Sequence, residues 1–168
     1  MRKTILFLCV VLTKSVAFSQ DTATFKVGKT ENKFVYSQNT IKIFKGQRIS
    51  IKSSNSNGQL IELQLVDTTE SKIASPSKLG LNVLQQNNER NITIDFNTIQ
   101  LDDGKVATYL IVNNPYKGTL TYKAKFFSRR TNEYIETSIY PVSPGISGIE
   151  TWPYSITDLI LYDFTIKE

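Results

Sequence analysis

The sequence predicts an all-β chain: one antiparallel β-sandwich of about eight strands, with a closed β-barrel as the alternative. Three observations predict it. Apolar and polar residues alternate at period two, most cleanly where Leu120, Tyr122, Ala124 and Phe126 oppose Thr121, Lys123, Lys125 and Phe127. Turn clusters rich in Gly, Asn, Asp, Ser and Pro recur roughly every 8–12 residues. No heptad, internal repeat or low-complexity tract interrupts this pattern.

The chain opens with basic Arg2 and Lys3, an apolar run from Ile5 to Leu12, and small residues Ala17 and Ser19. This is the pattern of a secretory signal peptide over residues 1–19. The apolar run is about half the ~20 residues that a membrane-spanning helix needs, so no transmembrane segment is expected in the mature chain. Residues 20–168 are then a single domain of about 149 residues, long enough to bury a core. Arg2, Lys3 and Lys14 leave with the signal, so the net charge falls from +5 to about +2. That modest charge offers no electrostatic case for nucleic acid.

Cys9 and Met1 are the only cysteine and methionine, and the chain has no histidine. A mature chain without these side chains cannot form a disulfide, although export would permit one. It also lacks a histidine base and a thiol nucleophile. The usual ligands for zinc, copper, haem and iron–sulfur centres are missing as well. No cofactor or metal is expected, and no enzyme activity. A disulfide-free exported domain points to a bacterial periplasm, cell surface or medium.

Residues 20–39 are polar with scattered aromatics and read equally as short edge strands or as a loose N-terminal arm. Regular alternation begins at Thr40, with Ile41 and Ile43 on one face, and resumes after Gly46 at Ile49 and Ile51. Gly46 tolerates positive φ and marks a turn. A short strand, Lys45-Gly46-Gln47 and a second strand resemble the opening of immunoglobulin-like sandwiches. That resemblance is generic and covers about a dozen residues; together with the strand count it points to an immunoglobulin-like sandwich, a type that binds through its loops or edges.

Ser53–Gly58 reads as a loop and Gln59–Val66 as a strand; polar Asp67–Ser77 breaks the sheet. Ser75 and Pro76 could open a short helix carrying Leu79, Leu81, Val83 and Leu84. Residues 85–90 are a second loop. A strand over 91–97 places Ile92, Ile94 and Phe96 on one face. Asn91-Ile92-Thr93 also matches a glycosylation acceptor, which a bacterial host leaves silent. Leu101–Lys105 is a tight turn into what reads as a central hairpin: Val106–Asn113, a turn to Gly118, then Thr119–Phe127. A turn at 128–132, a strand over 134–140 and a crossing loop containing Trp152 follow. Asp158–Ile166 is the last strand.

Candidate sites are few. Asp102 and Asp103 could hold calcium, but no complete calcium-loop spacing surrounds them, and a solvated hairpin turn explains them more simply. Arg129 and Arg130 could grip an anion or a partner's carboxylate, or simply charge a hairpin tip against edge-to-edge aggregation. Trp152, Tyr154 and Tyr116 fall in expected loops and are the candidate binding residues, since exposed aromatic faces stack on sugars and anchor protein contacts. The competing expectation is that Trp152 plugs the core. The expected partner is therefore an unidentified protein or a glycan, bound by a non-catalytic module.

Overall fold

The structure, a computed structural model, describes residues 35–37, 39–53, 63–73 and 91–167. Ten strands lie among them: β1 (Val35–Ser37), β2 (Thr40–Phe44), β3 (Gln47–Ser53), β4 (Leu63–Glu70), β5 (Ile92–Gln100), β6 (Val106–Asn113), β7 (Thr119–Ser128), β8 (Glu133–Thr137), β9 (Ser147–Trp152) and β10 (Asp158–Lys167). They form two antiparallel five-stranded sheets, β1-β2-β10-β7-β8 and β4-β3-β5-β6-β9. One core cluster takes Ile41, Leu159 and Phe164 from the first sheet and Ile49, Phe96 and Leu110 from the second. The alternating residues of two inner faces thus share one interior, as in a β-sandwich. Both sheets end in edge strands among the described residues, so the closed-barrel alternative is overturned.

The expected signal peptide, residues 20–34 and 38 of the N-terminal stretch 20–39, the loop at 54–58, the start of the strand at 59–62, the helix after Ser75 and the loop at 85–90 lie outside the described residues; within 20–39, Val35–Ser37 forms the edge strand β1. Elsewhere several expectations need correction. The expected central hairpin does not form. β6 pairs with β5 and β9, whereas β7 pairs with β10 and β8, so residues 114–118 cross from one sheet to the other. The alternation of both strands is genuine, but alternation does not say which neighbour a strand takes. β4 continues through Glu70, past the expected break at Asp67. Its polar end pairs with Gln47–Ser50 as an edge strand that needs only one apolar face.

The last strand changes phase. Leu159 and Leu161 face the core, but so do Phe164 and Ile166. Asp163 sits between the two pairs with φ 56°, and the register with β7 shifts there. This bulge inserts one residue and returns the apolar pair to the inside. Strand β8 stops at Thr137, short of the expected Tyr140, as the chain bends toward Pro141, which has no N–H to donate. The chain then makes a single bridge from Val142 to Leu120. Strand β9 was not expected: Trp152 closes a strand paired with β6 and does not lie in a loop.

Candidate functional site

The β7–β8 hairpin builds the candidate site. Its strands pair from Ala124–Thr137 out to Ser128–Glu133, with Phe126 opposite Ile135 on the inner face. The tip closes when the Asn132 N–H donates to the Ser128 carbonyl at 2.8 Å. Asn132 has φ 58°, a left-handed conformation that asparagine tolerates better than most residues.

Toward the middle of the sandwich the inner face of β7 is covered, and Leu120, Tyr122 and Ala124 are buried. Toward the tip the described residues cover it only in part. β9 ends at Trp152, level with Thr137, where the indole N–H donates to the Thr137 hydroxyl at 3.2 Å. The hairpin runs on beyond that point. Phe126 is only partly buried and Ile135 is 39% exposed, although both point to the core side.

Beside them the loop after β9 forms a wall. Tyr154 lies with its ring 5.9 Å from that of Phe126. A buried threonine, Thr108 on β6, holds this loop: its hydroxyl donates to the Tyr154 carbonyl at 2.7 Å and accepts from the Ile156 N–H at 3.0 Å. The Thr98 hydroxyl stands 2.8 Å from the same oxygen. The result is a groove of about 620 Å³, within the range of ligand sites. Phe126, Ile135 and Tyr154 supply its apolar surface. Among the described residues, Arg129 and Arg130 are its only charged lining residues. Both are exposed, and neither forms an ion pair among the described residues.

The three aromatics expected to bind do not come together. Trp152 is 7% exposed and belongs to the core cluster. Tyr154 is 43% exposed and lines the groove. Tyr116 lies at the opposite end of the sandwich, beyond Asn113, with roughly 17 Å of strand separating Asn113 from Thr108. Its ring packs against the core, and its hydroxyl accepts from the Ser53 N–H at 3.1 Å.

Two charged clusters sit on outer faces. Asp158 accepts from the Tyr134 hydroxyl at 2.6 Å and pairs with Lys42 at 3.4 Å. Burial and the bond to Asp158 raise the Tyr134 phenol above its ordinary value. Burial alone would lower Lys42, but Tyr134 and Asp158 outweigh it and hold the ammonium more firmly protonated than usual. Across the molecule Asp95 accepts from the Lys72 N–H at 3.1 Å, the Ser71 hydroxyl and Arg48 at 3.3 Å, tying the chain after β4 to β5. Of the expected Asp102–Asp103 pair, Asp103 is engaged by Lys105, through both its ammonium at 2.8 Å and its N–H at 3.0 Å. These bonds lower its carboxyl below the ordinary range. Among the described residues no three His, Cys, Asp or Glu side chains gather as metal ligands, and no helix is long and apolar enough to cross a membrane.

Sequence reasoning missed Phe126 and Ile135 as site residues. The turn at 128–132 implies that they pair, but their partial exposure among the described residues goes with the end of β9 at Trp152. Comparison with family models, curated proteins and solved structures finds no match to this chain.

Proposed function

We propose that this chain is an exported, non-catalytic module of the immunoglobulin-like sandwich type that binds another protein through the groove at the β7–β8 tip. The observation that carries this reading is the Phe126–Ile135 pair: two apolar side chains on the core side of a sheet that the described residues leave partly exposed. Covering such surface is favourable by about 25 cal/mol per Å², so a partner that completes the layer gains what the fold itself leaves unused. Binding at a loop end or along a free strand is common in sandwiches. A glycan-binding role is less well supported, because Trp152 keeps its ring in the core and leaves Tyr154 as the exposed aromatic of the expected Trp152–Tyr154 pair.

The test is a pull-down from envelope extract with the full chain, tagged at its C-terminus, and with its Ile135→Asp variant. The expected result is a protein retained at moderate salt by the parent chain and lost by the variant. Retention of polysaccharide alone, or of the same protein by both chains, contradicts this reading.

A further inference from the structure

The chemistry of the groove narrows its occupant. Strand β8 lies at the edge of its sheet and pairs only with β7 among the described residues. Its outward row of N–H and C=O groups is a template for one more strand. Resting on the groove reading above, we infer that the occupant is an extended acidic peptide that pairs with β8, setting an apolar side chain beside Ile135 and a carboxylate against Arg129 and Arg130.

The two contacts fix a pattern. Side chains on one face of a strand recur every second residue, about 7 Å apart. The apolar anchor and the acid must therefore be separated by an odd number of residues, and three carry the acid past Glu133, which shares the face of Ile135, to the hairpin tip. If they are adjacent in sequence, they point to opposite faces and only one reaches the groove. Arginine suits the acid because its planar fork binds a carboxylate through two parallel hydrogen bonds.

Two glutamates on β8 sharpen the register. Glu136 accepts from the Tyr162 hydroxyl at 2.6 Å on the outer face, away from the groove. Glu133 opens the strand, is exposed and does not line the groove. An acid placed along the middle of β8 meets these carboxylates, whereas an acid at the hairpin tip meets the two guanidinium groups. A peptide is favoured over an anionic glycan because the floor is formed by Phe126 and Ile135 and the edge offers backbone pairing, which a sugar chain cannot use.

Fluorescence anisotropy with the full-length chain and short labelled peptides tests the inference. The probes carry leucine and aspartate with three residues between them, leucine and aspartate adjacent, or leucine and asparagine with three residues between them; polygalacturonate serves as an anionic polysaccharide. The spaced acidic peptide is expected to bind at least about tenfold more tightly than either control peptide. N-methylation of alternate peptide nitrogens should abolish binding. R129Q/R130Q, at exposed turn positions, should remove the preference for aspartate while leaving the melting temperature unchanged.

Equal affinity for all three peptides, binding of polygalacturonate alone, or no peptide binding overturns the inference. If the neutral peptide binds as well as the acidic one, and Ile135→Asp abolishes both, the groove reading stands and only the acidic occupant fails. If Ile135→Asp changes nothing, both fail.

Discussion

The two ends of the sandwich solve the same problem differently. At the end near Asn114 the crossing loop is tied down: the Asn114 N–H donates to the Ile146 carbonyl at 2.9 Å and its carbonyl accepts from the Gly145 N–H at 2.9 Å. Asn114 is fully buried. Its side-chain amide donates to the Gly118 carbonyl at 2.8 Å, the Val142 carbonyl at 3.0 Å and the Ser143 carbonyl at 3.3 Å, and its oxygen accepts from the Tyr116 N–H at 3.1 Å. Gly118 is required there, since a Cβ would stand 2.6 Å from the Ile166 side chain and 2.8 Å from the Lys167 carbonyl. At the other end Trp152 closes the core, and the hairpin beyond it keeps an apolar inner face open. A sealed end needs a buried polar residue with all its bonds made. An open end needs only that one strand stop before its neighbour across the core. The first arrangement secures the fold, and the second leaves Phe126 and Ile135 partly exposed among the described residues.

Substitutions can break this contrast. Trp152→Ala should have the largest effect, destabilising the chain by about 3–5 kcal/mol in urea unfolding. A Trp152 acting as a surface platform would instead lose binding at unchanged stability. Asn114→Ala should cost about 3 kcal/mol, because it leaves the buried Gly118 carbonyl without its donor and releases the Tyr116 N–H. Thr108→Val keeps the shape and removes the bonds that hold the groove wall. It should cost about 1–2 kcal/mol and weaken partner binding more than it weakens the fold, as paired melts and titrations can show.

The smallest effect lies at neither end. Burial raises Tyr122, and the bond to Glu136 pushes Tyr162 up to about 12. An unfolded tyrosine titrates near 10, below both. The stabilisation is therefore present below about pH 10 and is lost as pH rises through about 12. In Tyr162→Phe, unfolding midpoints followed between neutral and strongly alkaline pH should fall less steeply than in the parent chain.

Much of the architecture was legible from the chain. Ile92, Ile94 and Phe96 alternate because one face of β5 meets the core, and Leu120, Tyr122 and Ala124 do the same on β7. What alternation cannot carry is partnership. The alternation of Val106–Phe127 does not distinguish a hairpin from a crossing between sheets; that depends on Asn114, whose four side-chain bonds reach partners from Tyr116 to Ser143. The bulge at Asp163 was written in the sequence as two apolar pairs out of phase, Leu159 with Leu161 and Phe164 with Ile166. The groove was half legible. Arg129, Arg130 and Tyr154 stood out by residue type. Phe126 and Ile135 looked like ordinary strand residues, because their exposure depends on where a different strand, β9, ends.

The most direct measurement is urea unfolding and partner binding of Asn114→Ala and Ile135→Asp side by side. Asn114→Ala should lose about 3 kcal/mol yet bind its partner normally when folded. Ile135→Asp should lose no more than about 1 kcal/mol, the span of strand preference at such a site, and should lose the partner. Comparable large losses of stability in both variants would place Ile135 in the core and contradict an open end built for binding.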